Sequence, residues 1–369
     1  MRKWCWVLIA CLTLCAGLVR AETVELPPAL RGIKIGALWY LDYRAGKKSR
    51  ESYNHFSITR GYINIKKKIT PWLRVRVTPD ITRTSNGDVN VRIKYLYARL
   101  YFPDLGFITN NFIEFGQIHF PWLDFKEAVN GYRCQGTMLQ ERNHIFNSAD
   151  QGIAWFGYFG GEMPKEYKEK VDKHYAGRYG SFSLGVFNGS GYHAGEKNNN
   201  KALEGRITIR PLPDIFPGLQ LSYFGIYGKG NLSDDPSKSD YYGKYGFSSL
   251  PDWWVNTFYV SYEAPLYTWT FTYARDKGCQ SGKDEDNKQG FSWFARVKMP
   301  FEPKIEVIGR YDIWDPNLNQ VKDIERRVIA GVSYRLYKNN LILLDYEKLF
   351  REGNQPDDYF IQTVLQISF

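Results

Sequence analysis

The sequence predicts an all-β chain folded as one transmembrane antiparallel barrel of about sixteen strands. Three features predict this: an export signal at the start, a repeated module of about ten alternating residues and a turn, and a last strand ending on an aromatic residue.

Arg2 and Lys3 form a short positive region and Trp4 to Val19 an almost wholly apolar one, with Val19-Arg20-Ala21 offering a cleavage point before Glu22. That is the layout of a secretory signal peptide, so residues 1–21 are expected to be removed and 22–369 to form a single barrel domain in the outer membrane of a Gram-negative bacterium. Leu8-Ile9-Ala10-Cys11 loosely fits a lipoprotein box, but leaves a short apolar run before the cysteine. The run also falls short of the ~20 residues a spanning helix needs. Aromatic residues make up 17% of the chain, with 27 Tyr, 23 Phe and 11 Trp. Strands and bilayer interfaces favour such residues, which offer an apolar body to lipid and a polar tip to water.

The formal charge is +10, or +7 once Arg2, Lys3 and Arg20 leave with the signal. An exported basic surface suits anionic solutes or lipopolysaccharide phosphates, and outside the cell nucleic acid is not an expected partner. Cys5, Cys11 and Cys15 lie in the signal, leaving only Cys134 and Cys279. Two thiols are too few for a disulfide scaffold and wrongly spaced for zinc, so no metal or cofactor is expected.

Sixteen alternating segments follow: Ile33–Tyr43, Phe56–Lys66, Trp72–Arg83, Val91–Phe102, Asn111–Phe120, Gln151–Phe159, Gly180–Asn188, Leu203–Pro211, Leu219–Lys229, Trp254–Ala264, Thr268–Lys277, Gly290–Pro300, Lys304–Trp314, Arg326–Tyr337, Leu341–Phe350 and Tyr359–Phe369. An even count lets the two ends meet and close. Every second connection is short, such as Lys67–Pro71, Pro265–Tyr267 and Lys338–Asn340, whereas Pro121–Asp150, Gly230–Trp253 and Gly278–Gln289 are long. Short turns on the periplasmic rim and long loops on the outer rim are the outer-membrane pattern. Gly160–Tyr179 breaks the rule: it should be a short turn, yet it is long and rich in Lys and Glu. It reads as a short solvated helix, or as a sign of one misplaced strand.

In the last strand Tyr359, Ile361, Thr363, Leu365, Ile367 and Phe369 share one face, and Phe360, Gln362, Val364, Gln366 and Ser368 the other. Period-two alternation assigns the first set to lipid. A terminal aromatic in that phase resembles the targeting signal read by the barrel-assembly machinery.

Arg60-Gly-Tyr-Ile-Asn-Ile, running into Trp72-Leu-Arg-Val-Arg-Val-Thr-Pro-Asp80, resembles the second and third strands of the phosphate-selective porin O and P family. Gly116-Gln-Ile-His-Phe-Pro121 is similar to its strand before the constriction loop, and Asp150-Gln-Gly152, Tyr179 and Gly185-Val-Phe-Asn-Gly189 to its central region. The likeness is strongest over about residues 55 to 190. It implies a sixteen-stranded barrel, commonly a homotrimer, with the third outer loop folded into the pore. Here the long connection Pro121–Asp150 follows the fifth strand, where that loop belongs. The chain departs from the family in having no compact loop cluster of Arg and Lys to serve as a phosphate site.

Assigning each strand's apolar face to lipid leaves an inner face rich in cations. Arg74 and Arg76 alternate with Leu73, Val75 and Val77; Arg206 and Arg210 with Ile207 and Ile209; Arg296 and Lys298 with Ala295 and Val297. Arg310 alternates with Gly309 and Tyr311, Arg327 and Arg335 with Val328 and Leu336, and Arg60 joins them. The inward acids are Asp80, Glu263, Glu306, Asp312, Asp345 and Glu347. Cations outnumber acids, so the lumen field leans towards anions. The same arginines serve equally as a wall network, paired with carboxylates across the ladder.

Within the long loop, Lys126, Arg133 and Arg142 are the candidates for the narrowest point. Cys134 and Cys279 lie in loops on the same rim and are expected to pair, pinning the loop to the opposite wall. The acidic runs Asp234-Asp235 and Asp284-Glu285-Asp286 match no calcium-loop spacing. The expected function is passive diffusion of small hydrophilic solutes, leaning to anions. Two rivals stand beside it: a lipid-modifying enzyme on a barrel scaffold, and a plugged barrel acting as adhesin or structural protein. With five His, no G-x-S-x-G and no H-E-x-x-H, the chain carries no motif for the enzyme.

Overall fold

The computed structural model describes residues 31–83, 86–235, 237 and 249–369, so the signal segment 1–21 and its cleavage point lie outside the described residues. Sixteen strands form one closed antiparallel barrel. In chain order they are β1 Ile33–Lys48, β2 Glu51–Lys68, β3 Leu73–Arg83, β4 Val89–Tyr101, β5 Ile108–His119, β6 Ala149–Phe159, β7 Gly180–Phe187 and β8 Ala202–Ile209. They continue as β9 Leu219–Lys229, β10 Asp252–Glu263, β11 Tyr267–Lys277, β12 Asn287–Lys298, β13 Ile305–Asp315, β14 Glu325–Tyr337, β15 Asn340–Arg351 and β16 Asp358–Ser368. Each strand pairs with its sequence neighbours, and the closing strand β16 pairs with β1 from Leu38↔Ser368 to Lys47↔Tyr359. Closure leaves no unpaired strand edge, which lipid would not tolerate.

β16 alternates as expected: Tyr359, Ile361 and Phe369 are exposed, while Gln362, Val364 and Gln366 are buried. The same inversion runs round the barrel, with Leu184, Ile207, Phe258, Val332 and Leu344 among the outward apolar residues. Outward aromatic rings also meet across strands, as in Trp293–Tyr311 (5.9 Å) and Tyr223–Phe258 (5.2 Å).

Two local differences from the sequence expectation have physical causes. β1 and β2 run on through residues expected to form a loop, and turn at Ser49-Arg50 alone, both at positive φ. Two successive left-handed residues match a type I′ turn, whose twist suits a two-residue hairpin. In β4 the pairing shifts between Thr78↔Tyr95 and Pro79↔Ile93, so Lys94 is an extra residue. This bulge turns both Lys94 and Tyr95 away from lipid, and both are buried.

Among the described residues three short helices lie between strands: α1 Pro121–Asn130 and α2 Leu139–Arg142 in the long loop, and α3 Lys165–Lys170 between β6 and β7. The irregular connection 160–179 thus holds a short helix, and no strand was misplaced. Among the described residues no helix is long and apolar enough to cross a membrane, and the strands do the crossing.

Candidate functional site

The long loop is amphipathic, and its apolar side faces the barrel wall. Trp122, Leu123, Phe125 and Val129 of α1 are all at most 2% exposed. Trp122 stacks on Phe224 of β9 (5.4 Å, 7°) and meets Tyr259 of β10 edge-on (5.3 Å). Burying four such side chains favours the seat by roughly 6–12 kcal/mol before ordering costs, at about 1.5–3 each. α1 ends at Gly131, whose φ of 70° closes the helix with an N–H to Glu127 oxygen at 2.9 Å. A Cβ there would lie 2.8 Å from Arg296 Nη1, so glycine also admits the approach of that guanidinium.

Beyond α1 the loop is fastened strand by strand to buried, inward-facing groups. The Tyr132 hydroxyl donates to Glu306 (3.0 Å) and contacts Ser333. Gln135 donates to Glu347 (3.0 Å), and Gln140 to Thr257 (2.9 Å) and Asp276 (2.9 Å). Arg310 donates to the Thr137 carbonyl (2.8 Å) and Gln362 to that of Gln135 (3.3 Å).

Most of the cations picked out by alternation belong to this fastening. Arg142 (2.9 Å) and Arg327 share the Glu347 carboxylate. Arg335 holds Glu306 through Nε (2.8 Å) and Nη2 (2.5 Å), and Arg310 holds Asp312 at 2.9 and 2.6 Å. Arg133 bridges Glu127 (2.7 Å) and Glu141 (2.9 Å) within the loop. Arg60 is 3.6 Å from Glu127 and stacks on Tyr40 and Tyr62. Arg296 donates to Thr268 (2.5 Å), and Lys298 is half-buried.

Arg206, Arg210 and Lys126 face inward or into the loop as expected, but other side chains cover them. Arg206 lies under Phe125 and Tyr175, donating to Ser181 (3.0 Å) and Thr208 (2.6 Å). Arg210 is fully buried and bonds to the Tyr167 hydroxyl (2.9 Å) and the Gly177 carbonyl (3.3 Å). Lys126 is buried between the Trp122 and Tyr259 rings. Burial, with Arg310 adding repulsion, lowers its ammonium to about 7.

Besides the half-buried Arg296 and Lys298 of β12, the accessible cations lie on the opposite wall, β2 to β5. Arg74 is exposed, and Arg76 pairs across the ladder with Lys66, also exposed. Arg74 donates to the Tyr101 hydroxyl (3.0 Å), and Arg76 to Asn64 (2.6 Å), Thr78 (2.9 Å) and His119 Nε2 (2.7 Å). Among the described residues no ion pair holds Lys66, Arg74 or Arg76. Alternation missed Lys66, Arg92, Lys94 and Arg99 on this wall. The two β4 arginines are paired, Arg92 with Asp80 (2.9 Å) and Arg99 with Glu114 (2.5 Å). The break in phase between Ile93 and Leu96 was the sequence signal for the bulge that carries Lys94 inward. Tyrosines hold these cations in place: Arg76 lies 4.5 Å from the Tyr95 ring, Arg74 4.4 Å from Tyr101 and Lys94 4.7 Å from Tyr62.

His119 joins this wall to α1. Its Nε2 accepts from Arg76, so Nδ1 carries the proton and donates to Glu114 (3.2 Å). Asp124 Oδ1 is 4.0 Å from the ring, and half of the Asp124 side chain is exposed. Enclosure alone would raise the Asp124 carboxyl, but the Tyr175 hydroxyl and the charge of Arg76 hold it low. The inner space is therefore bounded by an open basic wall on one side and by Asp124 and Glu127 of the loop on the other.

The expected disulfide is not formed. Cys134 and Cys279 are both free and buried. Cys134 packs among Tyr40, Phe294, Leu343 and Val364, whereas Cys279 sits beside Ser281 and Asp284 in the loop after β11. The side chains that bind the loop to the wall do so without a covalent staple. Among the described residues no metal-binding cluster of His, Cys, Asp or Glu is found, including at Asp234-Asp235 and Asp284-Glu285-Asp286.

No family model matches the chain, the phosphate-selective porin O and P family included, and no curated protein does. Solved structures do match in fold. An anion-selective porin from Comamonas acidovorans aligns over 91% of this chain and 99% of its own, with a TM-score of 0.61 and 11% identity. OmpF of Salmonella typhi, in complex with daunomycin, gives the same score and identity over 91% and 97%. The outer membrane channel DcaP of Acinetobacter baumannii gives 0.58 and 11% identity over 91% and 97%. A loop L8 deletion mutant of OmpT, an outer membrane protein of Vibrio cholerae, matches at 0.57 and 10% identity over 91% and 99%. At such identities the likeness is one of fold: the chain has the architecture of outer-membrane porins.

Proposed function

We propose that the protein is a passive outer-membrane porin whose water-filled channel leans to anions. The observation that carries this reading is the basic wall of Lys66, Arg74 and Arg76, accessible and, among the described residues, held by no ion pair, while most other inward cations are neutralised or covered. Such a row replaces part of an anion's hydration at successive weak sites and passes it on. The loop Pro121–Asp150 acts as the constriction by filling the space before β8 to β16. Arg133 and Arg142 shape it through their carboxylate partners, and Lys126 by its place in the apolar seat.

Phosphate is one candidate solute, supported by the family resemblance and by the Arg74–Arg76–Lys66 group; the loop arginines, already paired, do not add to it. The chain is exported with removal of residues 1–21, inserted by the barrel-assembly machinery through the β16 signal, and assembled as a homotrimer among outer-membrane lipid and lipopolysaccharide. The trimer is supported by a trimer form of the OmpT neighbour. No catalytic role is proposed. The extent to which the loop fills the barrel favours a second reading, the plugged barrel. Liposome swelling separates the two: uptake of small sugars is expected, and impermeable liposomes containing folded protein would sink the open-channel reading.

A further inference from the structure

The connection 160–179 leaves the short-turn rim, opposite the rim from which the long loop enters, and the two meet. Its arms prolong β6 and β7 as a hairpin, with Met163 N–H to the Ala176 carbonyl (2.8 Å) and Arg178 N–H to that of Gly161 (2.9 Å). At the tip α3 exposes Lys165, Glu166, Glu169 and Lys170, but buries Tyr167 against Arg210, an inward residue just past β8. The Asp172 carboxylate then accepts the N–H groups of His174 (2.8 Å) and Tyr175 (3.2 Å), a turn that sends Tyr175 inward. There the Tyr175 hydroxyl donates to Asp124 of α1 at 2.5 Å, and its ring meets Phe125 edge-on at 5.0 Å. Arg206 lies against both rings, 4.4 Å from Phe125 and 5.1 Å from Tyr175. A solvated periplasmic turn would need none of these contacts.

We infer that residues 160–179 are a second constriction element, latched to the first through Tyr175 and Asp124, that closes the lumen before β7 to β10 and confines solutes to the basic wall. The inference rests on the porin reading and deepens it. Tyr175 is a positioning residue: it touches no solute, but holds α1 from below. Arg206 and Arg210, which alternation places in the pore, are the seats of the two inserts.

The test compares single-channel currents of three forms in planar bilayers. In the first variant residues 164–175 are replaced by Asn-Gly, continuing the hairpin that Glu162 and Gly177 already pair. With the second path open, conductance should rise roughly twofold. In Tyr175→Phe only the latch is lost, and more frequent closures of α1 are expected; Asp124→Asn keeps an acceptor for the hydroxyl and should stay quiet. A deletion that still runs as a heat-modifiable barrel, with conductance unchanged, would overturn the inference. If the deletion does not fold, Tyr175→Phe with closures like those of the unaltered protein does so. Silence of the unaltered protein would instead overturn the porin reading itself.

Discussion

Arg74→Gln is the cleanest way to ask whether the basic wall sets the field of the lumen. The guanidinium is exposed, bonds to the Tyr101 hydroxyl and stacks on that ring, so its loss leaves no buried carboxylate without a partner. Unit charges about 4 Å apart in water interact by about 1 kcal/mol, and the Debye length is about 10 Å at 0.1 M salt. A passing chloride loses up to that attraction and a potassium ion an equal repulsion, each worth about fivefold in local concentration. Distance and screening reduce the product, so the anion-to-cation permeability ratio should fall by roughly threefold to tenfold at 0.1 M. At 1 M, with a Debye length of about 3 Å, the change should be less than about twofold. Lys66 and Arg76 remain, so the channel should still favour anions. The assay is the reversal potential across a KCl gradient at both ionic strengths. An unchanged value at low salt, or a shift indifferent to salt, would refute the reasoning.

Three further outcomes are expected. The Lys126 ammonium is depressed in the folded protein, so the seat of α1 weakens as pH falls from the ordinary lysine value through about 7. Channel closures should therefore be more frequent at pH 6 than at pH 8.5, and Lys126→Met should abolish the difference; a flat profile in the unaltered protein contradicts this. Glu347→Ala strands Arg142, Arg327 and Gln135, which should cost on the order of 3–5 kcal/mol in loop seating, read as a lower unfolding temperature and noisier channels. Unaltered stability in that variant would show that the triad does not hold the loop. Finally, the denatured, unreduced mature protein should titrate two thiols and run alike on reducing and non-reducing gels, whereas a mobility shift would restore the disulfide.

The barrel was legible because alternation is local. Tyr359, Ile361 and Gln362 take the faces that their spacing assigns, and the same rule placed Arg74, Arg206 and Arg310 on the inner side. What alternation does not contain is which inward residues meet water. Arg206 and Arg74 read alike in the sequence, and differ because Phe125 and Tyr175, remote in sequence from both, cover only the first. A partial signal was present in β9 and β10, where Phe224, Ile226, Trp253 and Val255 make the inner face apolar. An apolar inner face has no use in a channel unless something packs on it, and there the loop sits. Lys94 was missed because one inserted residue in β4 reverses the phase. The pairing proposed for Cys134 and Cys279 failed for want of any distance information: sharing a rim does not place two residues in the same cluster.

The most direct measurement is the reversal potential of single channels formed by the mature, unaltered protein in a planar bilayer under a KCl gradient. Stepwise currents with a reversal potential on the chloride side are expected; silent membranes containing folded barrel, or a potassium-selective current, would contradict an open channel running along the basic wall.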